Sequence, residues 1–249
     1  MDFRLAGRIR GLDTLTRFAF HAAPACMLAY GVARLLDGLD GQHGPGPAWT
    51  IGHVFFLAAL LLFGGVIVGL YRCVPAAAGA GPRTHGRHAG RAPRPGRPIA
   101  AAAAAVGLAG LLAFIRIAVI DVIVGLRAAD AAEKRALARR YADVPALPKV
   151  LYEIGPVFFE VGLLALLLHL ALGRPQRVSW WSLSLIAVGL IALILELDLL
   201  PVSAALVWLG LASIAPRPAA ARHVERAEPH SRRGLHHTGE VVAERPPSR

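Results

Sequence analysis

The residues best able to do chemistry in this chain are charged groups set inside or beside long apolar runs. Glu160 lies ten residues into one such run, about 15 Å deep by helical rise and so near its middle. An ionised side chain at the centre of a bilayer costs about 2.5–3.5 kcal/mol on insertion scales, so such groups face a partner or a wet cavity. Arg116, in the preceding run, is the expected partner, and Asp121, five residues on, competes for it. Two chemistries follow. Arg116 and Glu160 form a buried ion pair that fixes helix register, or Glu160 exchanges protons or cations with a cavity. In the second case Glu153, seven residues earlier on nearly the same helix face, extends an acidic path toward it.

A second constellation gathers around the connections between runs. Asp37, Asp40 and His43 share one connection, His53 opens the next run, and Asp121 closes a third. Glu153 opens a fourth, and Glu196 and Asp198 cap the last turn. Carboxylates with imidazoles suit zinc, manganese or iron, or a proton relay. No two of them show an HExxH or ExxH spacing on one helix. The ordinary reading is that acids occupy outer connections because basic residues are kept inside. His21 and His169 fall at similar depth and could hold a haem between helices. Interfacial histidine is the simpler account, so no cofactor is predicted, with metal and haem not excluded. Nucleophile elbow, Walker loop, dinucleotide fingerprint and kinase signature are all missing from the sequence.

The elements that must position these groups follow from composition. Of 249 residues, 55% are hydrophobic and 17% charged, and mean hydropathy is +0.53. Soluble domains carry about 25% charged residues. The apolar blocks run for 17 to 25 residues, the length that crosses roughly 30 Å of hydrocarbon as a helix. The expected spans are about Phe18–Leu36, Thr50–Tyr71, Ile99–Leu126 and Val150–Leu172, with two short ones in 179–215 joined by a tight turn near Glu196–Asp198 and Pro201. The fold class is therefore an all-α polytopic transmembrane bundle of about six spans. Its organisation is a 1–17 N-terminal segment, spans one and two over 18–71, a basic disordered linker at 72–98, spans three to six over 99–215, and a disordered basic tail at 216–249. Seventeen residues precede the first run and no small-x-small site follows it, so a cleaved signal peptide is a poor fit.

Charge sets the orientation. Segments 1–17, 72–98, 173–178 and 216–249 carry four, six, two and seven basic residues, while 37–49 and 196–198 carry none. Basic loops stay cytoplasmic, so both termini are expected inside, at a plasma membrane. The exception is 127–149, with six basic and three acidic residues, whose stretch Ala131–Tyr141 can form an amphipathic surface helix. Net charge is +11, with Arg making up 25 of 27 basic residues. Neither basic segment interleaves aromatics with its arginines, so nucleic acid is not an expected partner. The bilayer is, together with a membrane protein or a second copy. The two cysteines, Cys26 and Cys73, sit in different runs and make no metal or redox motif.

Two runs open alike. Ile51-Gly52-His53-Val54-Phe55-Phe56 matches Ile154-Gly155-Pro156-Val157-Phe158-Phe159 at five of six positions, with a fainter echo in Leu199-Leu200-Pro201-Val202. Three repeated hairpins would explain this, and so would coincidence in Val/Ile/Phe/Gly-rich sequence. The stretches Leu36-Asp37-Gly38-Leu39-Asp40-Gly41 and Gly44-Pro45-Gly46-Pro47-Ala48-Trp49-Thr50-Ile51-Gly52-His53, with Leu197-Asp198-Leu199-Leu200-Pro201, resemble multi-span integral membrane proteins of actinomycete type. The resemblance covers about a quarter of the chain and implies the membrane class, with no activity, substrate or cofactor attached. The expected function is a non-enzymatic accessory, scaffold or sensor component of the membrane. The alternatives are a proton- or cation-coupled transporter using Glu160, and an outward-facing metal-dependent enzyme built on the acidic and histidine rim.

Overall fold

The structure, a computed structural model, describes residues 3–39, 43–74, 96–142, 149–173 and 178–215, with the side chains of 3–13, 142 and 149–153 outside the description. The linker and tail expected at 72–98 and 216–249 lie largely outside it too. The described residues form seven α-helices and no strand. They are α1 (Phe3–Asp37), α2 (Pro47–Arg72), α3 (Gly96–Arg127), α4 (Ala131–Ala142), α5 (Lys149–Gly173), α6 (Trp180–Leu195) and α7 (Leu200–Ile214), with a 3-10 turn at Leu197–Leu199 before α7. The helix of α1 begins at Phe3, ahead of the expected Phe18, so most of the N-terminal segment continues the first helix.

Local sequence explains where the helices start and stop. Gly46 is extended and Pro47 opens α2, where a missing N–H costs nothing because the first-turn donors have no intrahelical partner. The Ser179 hydroxyl accepts from the Ser182 N–H at 3.1 Å and caps α6. At α4 the Asp130 carboxylate accepts from the Ala132 and Glu133 amides at 2.8 Å each, and Glu133 reaches back to the Ala129 amide at 2.8 Å, a reciprocal capping box. Glu196 takes an extended backbone (φ −155°, ψ 119°) that ends α6, and Pro201 in the first turn of α7 restarts the chain.

Five segments are long and apolar enough to cross a membrane: Thr14–Asp37, Pro47–Arg72, Gly96–Arg127, Ile154–Gly173 and Leu197–Ile214. The apolar helix α6 has 16 residues, about 24 Å by helical rise. Packing follows three consecutive hairpins, α1 with α2, α3 with α5, and α6 with α7. Helix α4 lies inside the connection of the middle hairpin. Further contacts of α2 with α3, α1 with α7 and α5 with α6 close the six long helices into a ring.

Glycine makes the middle hairpin tight. A side chain at Gly162 would strike the Gly107 backbone, and one at Gly110 would strike the backbone of Phe159. Small residues let helix backbones approach, and the dispersion gained there replaces the hydrophobic drive that lipid cannot supply. At the ring's centre a cavity of about 20 Å³ is lined by residues of all six long helices, among them Met27, Phe63, Phe114, Phe159, Leu190 and Val207. That is room for about one water molecule.

Candidate functional site

The α3–α5 crossing decides how the expected ion pair stands. Gly107 faces Gly162, and Gly110 faces Gly155 to Phe159. Each step along α3 is thus matched by one step back along α5, which sets Glu160 level with residues near 108. Arg116 lies about eight residues further along α3, roughly 12 Å by helical rise. An arginine side chain does not bridge that gap to Glu160. Among the described residues no ion pair joins them. The Arg116 Nη2 instead donates to the Tyr141 carbonyl at the end of α4, at 3.1 Å.

Glu160 is buried, with 7% of its surface exposed, on the same face of α5 as the fully buried Leu163 and Leu167. Among the described residues it has no hydrogen bond or ion pair. Glu153 is helical, but its side chain lies outside the description, so the acidic path is not traced.

At the bundle end where α1 finishes and α2 begins, polar side chains meet from α1, α2, α3, α4 and the connections before α2 and α7. The His53 ring is almost wholly buried, at 5% exposed. Its Nδ1 lies 2.8 Å from the Trp49 carbonyl, four residues back, and its Nε2 lies 3.8 Å from Asp121 Oδ2 on α3. A carbonyl only accepts, so Nδ1 carries the proton. Trp49 in turn donates its indole N–H to the Asp121 carbonyl at 3.2 Å. Its ring is held between the His53 ring (centroids 3.9 Å apart) and the Lys134 ammonium, 3.5 Å from the centroid. Gly125 makes room for this indole, since a side chain there would come within 2.6 Å of it.

Lys134, on α4, also donates to the His43 carbonyl. The His43 Nδ1 stands 3.5 Å from Asp37 Oδ2, and Arg34 Nε stands 3.6 Å from Asp198 Oδ1 in the α6–α7 turn. The inward atoms Asp37 Oδ2, His43 Nδ1 and Arg34 Nε are buried without a hydrogen bond among the described residues, so both contacts are longer than hydrogen bonds. A small pocket of about 10 Å³ lies among Tyr30, Arg34, Asp37, Trp49 and His53. Burial at the bundle end pushes the Lys134 ammonium below the usual lysine value, against the pull of Asp37 and Asp121.

The expected rim therefore comes together in part. Asp37, His43, His53, Asp121 and Asp198 join one network, and Glu196 stays exposed at its turn. Asp40 lies outside the described residues. No group of three metal-ligating side chains is found among the described residues. His21 accepts from the Trp208 indole at 3.3 Å, whereas His169 lies against Gly96, so the two candidate haem ligands have different neighbours.

Sequence reasoning missed Arg34, Trp49 and Lys134 as members. Arg34 and Asp37 stand three apart on one helix, and Lys134 is one of two lysines in an arginine-rich chain, the signals that were there to read. Compared with known proteins, the chain matches no family model, no curated protein and no solved structure.

Proposed function

We propose that the chain is a multi-pass protein of the cell membrane with six crossings and both termini cytoplasmic. It has no enzymatic activity of its own and serves as a sensor within a membrane assembly, beside a membrane partner or a second copy. Six crossings are supported by the α6–α7 hairpin, because a 16-residue apolar helix spans where the bilayer thins by a few ångströms. Orientation rests on the distribution of basic residues, and kinship with membrane proteins of actinomycete type rests on the sequence motifs.

The observation that carries the sensor reading is the histidine–carboxylate network, which links all three hairpins at one end of the bundle. His53–Asp121 and Lys134–Trp49 join the first hairpin to the second, and Arg34–Asp198 joins it to the third. Histidine changes charge near neutrality. With Nδ1 committed to the Trp49 carbonyl, a neutral His53 offers Asp121 only a bare nitrogen. Protonation turns that nitrogen into a donor toward Asp121 Oδ2 and draws α2 toward α3. Asp121 from α3, Arg34 and Asp37 from α1 and Lys134 from α4 all bear on the ring.

Spin labels at the start of α2 and the end of α3 test this in reconstituted protein. Their separation should contract as pH falls below about 8 and the ring gains its charge, and stay constant in His53→Gln. An unchanged separation in the wild type would sink the sensor reading.

A second reading, coupling to protons or cations, is favoured by one observation: Glu160 is buried in mid-helix with no partner among the described residues. It expects Glu160→Gln to insert and fold normally while proteoliposomes lose a pH-driven flux. A variant that moves protons like the parent removes this reading.

A further inference from the structure

Helix α4 has two faces with different fates. Its inner face belongs to the network: Lys134 lies on Trp49, and Tyr141 takes bonds from Arg116 and Arg127. Its two acids are committed to its own first turn, Asp130 to the Ala132 and Glu133 amides and Glu133 to the Ala129 amide. The outer face is left with Arg135, Arg139 and Arg140, all exposed, and Arg127 stands exposed at the end of α3. Among the described residues none of these four pairs with a carboxylate. Arg139 bonds the Arg135 carbonyl of its own helix, at 3.3 Å.

The level of α4 matters as much as its charge. Lys134 touches the first turn of α2, and Tyr141 is held by the last residue of α3 and by Arg116 below it. The helix is therefore pinned level with the ends of the apolar segments rather than standing clear of them. In a bilayer that is the depth of the phosphates. Guanidinium binds phosphate in a bidentate fork, and several arginines on one rigid helix present such forks side by side.

We propose that the outer face of α4, Arg135, Arg139 and Arg140 with Arg127 beside it, is a binding site for the headgroups of anionic phospholipids. The occupant is lipid rather than a soluble protein, because the face continues directly from a membrane-crossing helix and its arginines meet no carboxylate among the described residues. The site also gives a reason for the six basic residues of 127–149, at an end of the bundle whose other two connections carry none. It stands apart from the sensor reading, since it uses the opposite face of α4 from the one that meets His43 and Trp49.

The test is hydrogen exchange of the α4 amides in the full chain, held in nanodiscs of phosphatidylcholine with or without phosphatidylglycerol. A bound headgroup stabilises the closed helix by mass action, so exchange slows when anionic lipid is present. Each basic residue at an anionic surface contributes about a fivefold effect, so a slowing of about fivefold or more is expected, shrinking as salt rises. Arg135→Gln, Arg139→Gln and Arg140→Gln combined keep the capping box and the inner face, and should abolish most of it.

Equal exchange in both lipids overturns the proposal, as does an undiminished slowing in the triple variant. Inorganic phosphate producing the same slowing in phosphatidylcholine alone would assign the site to a soluble anion and overturn the lipid claim. Should the triple variant not fold, the lipid and salt series on the wild type decides by itself.

Discussion

The first two hairpins carry the same frame and different chemistry. Ile51 and Ile154 are exposed, as are the pairs Val54 and Val157, and Phe55 and Phe158. Phe56 and Phe159 are buried, at 6% and 2% exposed. Gly52 packs on Ala33 of α1 and Gly155 on Ala113 of α3, each on the preceding helix of its own hairpin. Five matched positions thus have matched environments, which coincidence in composition does not require. The sixth differs: His53 bonds back to Trp49 and faces Asp121, whereas Pro156 has no donor to give. Packing is held in common, and chemistry sits at the one position where the hairpins part.

The largest effects should come from the shared frame. Phe56 stacks on Tyr30 and meets Phe114 edge-on, and Phe159 meets Phe63 and Phe114 in the same manner. Phe56→Ala and Phe159→Ala should each cost about 3–5 kcal/mol, as buried aromatic truncations do. Unfolding titrations in detergent would measure both. Costs that differ by more than about twofold would deny that the hairpins are equivalent, since the spread expected from context alone is of that order.

Glycine sharpens the comparison. A methyl at Gly155 would lie 2.5 Å from the Ala113 Cβ, whereas one at Gly52 would lie 3.2 Å from the Ala33 Cβ. Gly155→Ala should therefore destabilise by about 1–3 kcal/mol through overpacking. Gly52→Ala needs a shift of a few tenths of an ångström, and the better helix propensity of alanine, worth about 1 kcal/mol, offsets it. The same titration read on the two variants separates them. Equal losses would mean that the second hairpin is no tighter than the first.

Much of this architecture was legible in the sequence because it follows from local rules. Apolar block length marked the long helices, the polar interruption at Glu196 and Asp198 marked the last turn, and the amphipathic stretch Ala131–Tyr141 marked α4. What was not legible depended on register between helices. Placing Glu160 opposite Arg116 required knowing that Gly107 meets Gly162, which no single-helix periodicity contains. The rim at Asp37, His43, His53, Asp121 and Asp198 was legible as a set at one end of the bundle. Its pairing was not, because Trp49 reads as an interface anchor and Lys134 as a surface charge until the fold brings them into one stack.

Smaller effects should come from the position that differs. His53→Leu removes the imidazole bond to the Trp49 carbonyl, which keeps its helical N–H partner, and leaves Asp121 without its imidazole, a loss of about 1–3 kcal/mol. Pro156→Ala restores an N–H to the helix and should change stability by less than about 0.5 kcal/mol or raise it slightly. Thermal denaturation of both variants tests the contrast. A His53→Leu protein as stable as the parent would make the histidine a passenger in an apolar packing site.

The smallest effect concerns Lys134, whose ammonium the fold places below its ordinary value chiefly by burial. The sign follows from proton linkage. Between the lowered folded value and the ordinary unfolded one, the unfolded chain binds more protons than the folded one, so stability rises with pH across that window. The cost of holding the charge is present at neutral pH and fades as the solution becomes alkaline. Thermal stability of the parent should therefore gain slightly on Lys134→Gln as pH climbs toward the ordinary lysine value. Asp37 and Asp121 oppose the shift, so Asp121→Asn should enlarge that alkaline gain. A parent and Lys134→Gln variant that keep the same difference in melting temperature at every pH would show that the stack on Trp49 holds the ammonium as water does.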